Sequence, residues 1–389
     1  MSVFWNKRTA NLSPYVPGEQ PKDRKFIKLN TNENPYPPSP KVIEAVEQAL
    51  ALTAGGKDCP AKGEKLRLYP DPLCAEFREA VASAYGVKPA QVFPGNGSDE
   101  VLAFAFGAFF ETAAESVNSN VNTHNFTNGN THSILFPDIT YSFYPVYAGL
   151  WNIPYMTIPV AEDFSVKLGD YNAANGGVII PNPNAPTGRA LAAPELLNFA
   201  RQLEQNSRVL IVDEAYAAFG ARSLVPHIAD HPNLLTVHTL SKSASLAGLR
   251  VGFAIGSEEL IDGLFRVRDS FNSYTMDALS LAGGRAAVLD KAYYDAINQK
   301  VIATREKTAE ALAAMGFTVI PSKANFLFIT PFNINGFALF NALRERGILV
   351  RHFNKPRIAD YLRVSIGTDE DMDAFLAACR EIIGNAVCE

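Results

Sequence analysis

Short, mostly apolar runs alternate with amphipathic stretches through the middle of the chain. Residues 134–136, 178–180, 209–212, 235–238 and 252–255 are the clearest runs, and most are β-branched and bounded by Gly, Pro, Asn or Asp. Strands covered on both faces need such runs, so they predict a mostly parallel buried sheet. Residues 194–204 carry the clearest helical stripe between them. Upstream, Ser39 and Pro40 read as an N-cap and a first helical position, ahead of Val42, Val46 and Leu50 on one face. Another helix is expected from about residue 74 to 85, stopped by Gly86. This alternation predicts an α/β fold, with a three-layer α/β/α large domain spanning 46–270.

The ends follow a different pattern. Residues 1–45 are rich in Pro and Asn and read as an extended arm that supplies part of a smaller domain. From about residue 285 a long helical pattern leads into apolar runs at 317–320, 325–329, 348–350 and 362–366, so 271–389 reads as a small α+β domain. The Asn-rich segment 111–133 has little apolar pattern and reads as a solvated insertion.

Composition narrows the function classes. The chain has 389 residues, 47% hydrophobic and 19% charged, with a net charge of -5. Such a chain can bury a large core, and its mild acidity argues against a nucleic-acid partner. The longest strongly apolar run, 101–110, is about half of the ~20 residues a bilayer helix needs, so no membrane partner is expected. The first residues carry no secretory apolar region, and the four cysteines contain no C-x-x-C pair. A cytoplasmic location follows, without a disulfide framework or a metal site. His227 and His231 are spaced four apart but lack a nearby third ligand.

Three segments could carry chemistry. Gly95-Asn-Gly-Ser98-Asp99-Glu100 lies between a strand and a helix, where glycines and free N–H groups suit an anion, although a tight turn with an N-cap reads equally well. Asp213 closes an apolar strand at the edge where α/β sheets bind ligands; it suits a cationic ring nitrogen or simply a strand cap. Lys242 follows the next strand among small hydroxyls, where desolvation would prepare its amine for bonding to a carbonyl carbon. Ser241 and Arg250 flank it with groups suited to one phosphate. An Asp, a Lys about thirty residues later and separate anion-binding elements are together what pyridoxal phosphate requires.

At these residues the sequence resembles the fold-type I pyridoxal-phosphate aminotransferases, and within them the histidinol-phosphate group. The matching landmarks run from Leu12-Ser-Pro-Tyr15 to Arg363-Val-Ser-Ile-Gly-Thr368. They include Leu29-Asn-Thr-Asn-Glu-Asn-Pro-Tyr36, Tyr69-Pro-Asp, Gly97-Ser-Asp-Glu100, Thr140-Tyr141, Asn184-Ala-Pro-Thr-Gly188 and Asp213-Glu-Ala-Tyr216. The resemblance implies that Lys242 bonds the cofactor and shuttles the substrate proton, that Asp213 pairs with the pyridine nitrogen, and that Tyr216 meets the ring's phenolic oxygen. It implies that Tyr141 stacks on the ring, that Ser98, Asp99, Glu100, Thr239, Ser241 and Arg250 form the cofactor's surroundings, and that Tyr69 reaches the phosphate of a neighbouring subunit in a homodimer with shared active sites. Arg363 would grip a substrate carboxylate, Arg351 a phosphate or distal carboxylate, and Tyr15 would help close the pocket. The family's asparagine before Pro-Thr-Gly is Ala185 here. Either Asn184 replaces it through a shifted loop, or Tyr216 manages with water.

The implied activity is transamination between histidinol phosphate and 2-oxoglutarate. The same scaffold also serves aromatic amino-acid aminotransferases and phosphothreonine-type decarboxylases. A regulator built on an inactive aminotransferase domain is disfavoured by the intact Lys242 and Asp213 and by an arm too short for a DNA-binding domain.

Overall fold

The computed structural model describes residues 3–15, 18–19, 21, 24–51, 63–112 and 132–386. Most of the Asn-rich segment lies outside the described residues. Seven strands form the main sheet: β2 (Val92–Gly95), β3 (Ile134–Pro137), β4 (Tyr155–Ile158), β5 (Gly177–Pro181), β6 (Leu210–Asp213), β7 (Leu234–Thr239) and β8 (Gly252–Ile255). β1 is Ile27–Lys28, in the arm. The order across the sheet is β2-β8-β7-β6-β5-β3-β4. Apart from β4, which is part-exposed at the sheet edge, every residue of these strands is buried. Their lack of polar alternation is the pattern that two covered faces impose.

One strand departs from the expectation. The run at 252–255 enters antiparallel to both neighbours, with Gly252 opposite Gly95 on one side and Thr239 on the other. Apolar composition reports burial on two faces, and it carries no information on direction. The reversal has a consequence for the site: the start of β8 lies at the same sheet edge as the ends of β2 and β7. Residues just before β8, Arg250 among them, therefore arrive at the edge that carries Asp213. β4 was not among the sequence-predicted strands, because its alternating exposure gives it a weaker apolar run.

Four strands, β9 (Thr318–Ile320), β10 (Phe326–Thr330), β12 (Arg351–His352) and β13 (Leu362–Ser365), make an antiparallel sheet in the order β12-β13-β10-β9. The arm joins this region: β1 pairs in parallel with β11 (Ile348–Leu349). It is not extended throughout, since Lys7–Asn11 forms a short helix capped by Asn6. The helix expected after Ser39 runs from Pro40 to Ala51, and the one expected near 74–85 runs from Ala75 to Tyr85. Gly86 ends the second helix in the left-handed region.

Candidate active site

Asp213 and Thr239 end adjacent parallel strands, so their side chains open at one edge of the main sheet. Lys242 follows in a short helix, Leu240–Ser243, whose cap is Thr239; the Thr239 Oγ1 accepts the Ser241 N–H at 3.1 Å. This hydroxyl turn aims the lysine back toward the strand ends. A cavity there is lined by Ser98, Asp99, Tyr141, Ala185, Asp213, Tyr216, Thr239, Ser241, Lys242 and Arg250. It shares Tyr141 and Ala185 with a cleft of about 520 Å³ that also presents Tyr15, Arg351 and Arg363.

The two central groups are both perturbed by burial. Desolvation lowers the Lys242 amine to about 8, with the Arg363 charge acting in the same direction. Its Nζ donates to the Thr31 carbonyl at 3.2 Å, and the Asn34 amide holds the Lys242 carbonyl at 3.0 Å. Asp213 is 6% exposed, and burial raises it to about 6. Two donors oppose that rise: the Ala215 N–H reaches Oδ1 at 3.1 Å and the Tyr144 hydroxyl reaches Oδ2 at 3.0 Å.

The anion cradle rests on close backbone approaches. Gly97 takes φ +83 just before the helix Ser98–Phe109, and a Cβ there would lie 2.6 Å from Arg250 Nη2. A Cβ on Gly252 would meet the Gly97 carbonyl carbon and the Ser98 nitrogen at 2.4 Å. Two glycines thus let Arg250, a helix N-terminus and the start of β8 converge. The Ser241 Oγ is buried there without a hydrogen-bond partner. An orphaned hydroxyl beside a guanidinium and a helix start is what a phosphate would satisfy, so these residues fit the cofactor that the sequence resemblance implies.

Asp99 plays a different part from the neutral members of that cradle. Its carboxylate accepts from the Tyr141 hydroxyl at 2.6 Å, the Tyr147 hydroxyl at 3.2 Å and Arg250 Nη2 at 3.0 Å. An ionised carboxylate only accepts hydrogen bonds, so its side chain fixes Tyr141 and Arg250 and contributes no bond of its own to a phosphate.

Two expected cofactor contacts, Glu100 and Asn184, are not brought into this cavity, and Tyr69, expected at a neighbouring subunit's phosphate, lies outside it. Glu100 turns back on its own helix start, where Oε2 accepts the Asn96 N–H at 2.7 Å. Asn184 is committed elsewhere: its amide donates to the Ile139 carbonyl at 2.8 Å and accepts from Thr140 at 3.2 Å. It therefore does not replace the missing asparagine, and Ala185 stands in the cavity wall. Tyr69 is 80% exposed and stacks on Tyr274 at 4.5 Å, lining a separate groove with Leu66, Leu68 and Arg285.

The arm supplies what the Ala185 loop lacks. Asn32 Nδ2 donates to the Tyr216 hydroxyl at 2.9 Å, while its Oδ1 accepts from Ser365 at 3.0 Å. Tyr216 keeps its own proton for a further acceptor. The arm's Asn and Pro content announced irregular backbone, but nothing in the sequence marked which asparagine would reach Tyr216. In the cleft, Arg363 Nη2 donates to the Asn30 carbonyl at 2.9 Å while its buried Nε has no partner. Tyr15 stacks on Phe143 at 4.4 Å beside it. Arg357 also lines the cleft, but Asp138 neutralises it at 3.0 Å and two backbone carbonyls hold it.

The family model described as aminotransferase class I and II matches residues 24–378. The chain belongs to this family. Among curated family members, the histidinol-phosphate aminotransferase of Clostridium acetobutylicum is 50% identical over 98% of this chain and 100% of its own. Histidinol-phosphate aminotransferase 1 of Bordetella parapertussis is 49% identical over 99% and 100%. The solved histidinol-phosphate aminotransferase of Sinorhizobium meliloti, in complex with pyridoxal-5'-phosphate, shares the fold with a TM-score of 0.81. It covers 99% of both chains at 23% identity. The aminotransferase α/β fold expected from the sequence is thus the one observed. Among the described residues no helix is long and apolar enough to cross a membrane.

Proposed function

We propose that this family member is a pyridoxal-phosphate enzyme that transfers the amino group of histidinol phosphate to 2-oxoglutarate, yielding imidazole acetol phosphate and glutamate in histidine biosynthesis. The observation that carries the reading is the desolvated Lys242 amine sharing one cavity with the buried Asp213 carboxylate, next to a cleft that presents Arg351 and Arg363. The names of relatives about half identical over their full lengths support it.

When bound, pyridoxal phosphate supplies an aldehyde carbon that amines engage and a cationic ring that delocalises charge from the substrate Cα. Lys242 would hold the cofactor through its amine, and an amine lowered to about 8 would suit a base for the substrate Cα proton near neutral pH. Asp213, as the anion, would pair with the ring nitrogen. Tyr216, held by Asn32, would donate to the phenolic oxygen, and Tyr141, held by Asp99, would cover the ring. Ser98, Thr239, Ser241 and Arg250 would hold the phosphate. Arg363 offers its unpartnered Nε–H to a substrate anion, and Arg351 takes a phosphate or a distal carboxylate, so one pair of planar cations serves both donor and acceptor. Tyr15 closes the cleft from the arm.

The same proposal makes the enzyme a cytoplasmic homodimer in which Tyr69 reaches the neighbouring subunit's cofactor phosphate. The exposed Tyr69 ring supports the second part, and the buried free thiols of Cys74 and Cys379 agree with the first. A spectral titration of the holoenzyme tests the activity. Histidinol phosphate should discharge the bound-cofactor absorbance at far lower concentration than phenylalanine, phosphothreonine or glutamate. A reversed ranking in favour of phenylalanine would make it an aromatic aminotransferase. Absence of any cofactor band would remove the whole assignment.

A further inference from the structure

Tyr144 is a buried phenol that the reaction above does not use. It opens the helix Tyr144–Trp151 and is wholly inaccessible, with the rings of Phe106, Phe136 and Tyr141 around it at centroid distances of 6.4, 5.7 and 5.7 Å. Packing alone would be served by phenylalanine, because a hydroxyl in an apolar shell is costly unless it is hydrogen-bonded. Its hydroxyl donates to Asp213 Oδ2 at 3.0 Å. We propose that Tyr144 is the positioning residue for Asp213, donating to one carboxylate oxygen so that the group is oriented and held ionised for a cationic ring nitrogen.

The surroundings of Asp213 explain why such a donor is needed. The carboxylate is buried, and Asp99 and the adjacent Glu214 add charges of its own sign, while Lys242 and Arg250 line the same cavity. Burial alone favours the neutral acid, which could not pair with a ring cation. The Ala215 N–H serves the other oxygen, so the two donors fix the carboxylate plane between them. Tyr144 itself stays protonated, since burial and the neighbouring Asp213 push its pKa well above the usual range. It is therefore a donor across the working pH range. The segment has a consistent logic: Tyr141 and Tyr147 donate to Asp99, and Tyr144, on the intervening turn, donates to Asp213.

The inference rests on the proposed cofactor, and its test separates the two. Cofactor-free Tyr144→Phe and wild-type proteins are titrated with pyridoxal phosphate and with its analogue carrying carbon in place of the ring nitrogen, with binding read by protein fluorescence. Loss of the hydroxyl should weaken binding of pyridoxal phosphate on the order of tenfold. Binding of the analogue should be unchanged, since that ring offers Asp213 no cation. Both ligands are measured on one protein, so a general loss of stability cannot mimic the difference. In an Asp213→Asn background the tyrosine change should add nothing. Equal losses for both ligands, or no loss for either, would overturn the positioning role. A wild type that bound neither ligand would instead overturn the cofactor reading itself.

Discussion

In the proposed reaction the chemistry turns on a lysine and a carboxylate, and burial makes the protein's stability depend on pH in opposite directions at the two. Lys242 is lowered to about 8, so between about pH 8 and 10.5 the folded, cofactor-free chain binds fewer protons than the unfolded one. Stability therefore rises with pH across that window, and the full penalty of a buried ammonium is present at pH 7. Replacing it in Lys242→Met should raise the stability of the cofactor-free protein at pH 7 by on the order of 2–3 kcal/mol, read from urea unfolding. A drop in stability would contradict the desolvation. Asp213 and Glu214 are raised to about 6 and about 7, so their ionisation destabilises the fold progressively as pH rises from about 4 to 7. Lys242 should set the rate at which the cofactor-free protein captures pyridoxal phosphate. That rate should climb with pH and level off above about 8, and a midpoint near 10 in stopped-flow absorbance would show an ordinary, solvated lysine. Lys242, Asp213, Ser241 and Arg250 could be picked out in the sequence because each sits in a motif with a chemical reason, whereas Arg363 came from the family resemblance alone. Asn32 and Tyr144 were not, because their roles arise from contacts 184 and 69 residues away in the chain. Glu100 illustrates a related point: an acid in the first turn of a helix serves its own N-terminus as readily as a ligand, and here it accepts from Asn96.

At the scale of elements, the cradle depends on β8 running backwards. Its first residue, Gly252, stands between Gly95 and Thr239, which places Arg250 over the helix start at Ser98. Apolar runs revealed the strands but not this reversal, since burial alone decides their composition. The two close-approach glycines should fail differently. Gly97→Ala forces a Cβ against a guanidinium end at a positive φ, so it should displace Arg250 and weaken cofactor affinity by at least about tenfold while the chain still folds. Gly252→Ala drives a Cβ into backbone atoms at 2.4 Å, which no side-chain movement relieves. It should cost several kcal/mol of stability, on the order of an overpacked core position or more. Melting temperature and cofactor titration, run side by side on both variants, check the contrast. A Gly97→Ala protein with unaltered affinity would show that Arg250 does not need that backbone proximity.

The whole molecule assembles its site from three stretches of chain. The arm brings Thr31, Asn32 and Asn34 to Lys242 and Tyr216, the main sheet brings Asp213 and the cradle, and the antiparallel sheet brings Arg351 and Arg363. The arm is tied to the last of these by β1–β11 pairing and by Asn32 on Ser365, so in the proposed reaction a substrate anion drawn to Arg363 would act on a region already clamped to Lys242. Tyr69 stands outside this arrangement, beside exposed Leu66, Leu68, Leu73 and Tyr274, an apolar surface suited to a second copy. If Tyr69 completes the neighbouring subunit's site, two defective proteins should repair one another. Lys242→Ala retains a working Tyr69, and Tyr69→Ala retains a working Lys242, so a mixed dimer contains one site with both residues intact and one with neither. Random exchange makes half of the dimers mixed, and activity should recover to roughly a quarter of wild type. The recovery should follow the exchange time and vanish when the two proteins are kept apart by cross-linking before mixing. Mixed dimers verified by mass but no more active than their parents would show that each chain builds its site alone, and would leave Tyr69 with no part in the cofactor's phosphate.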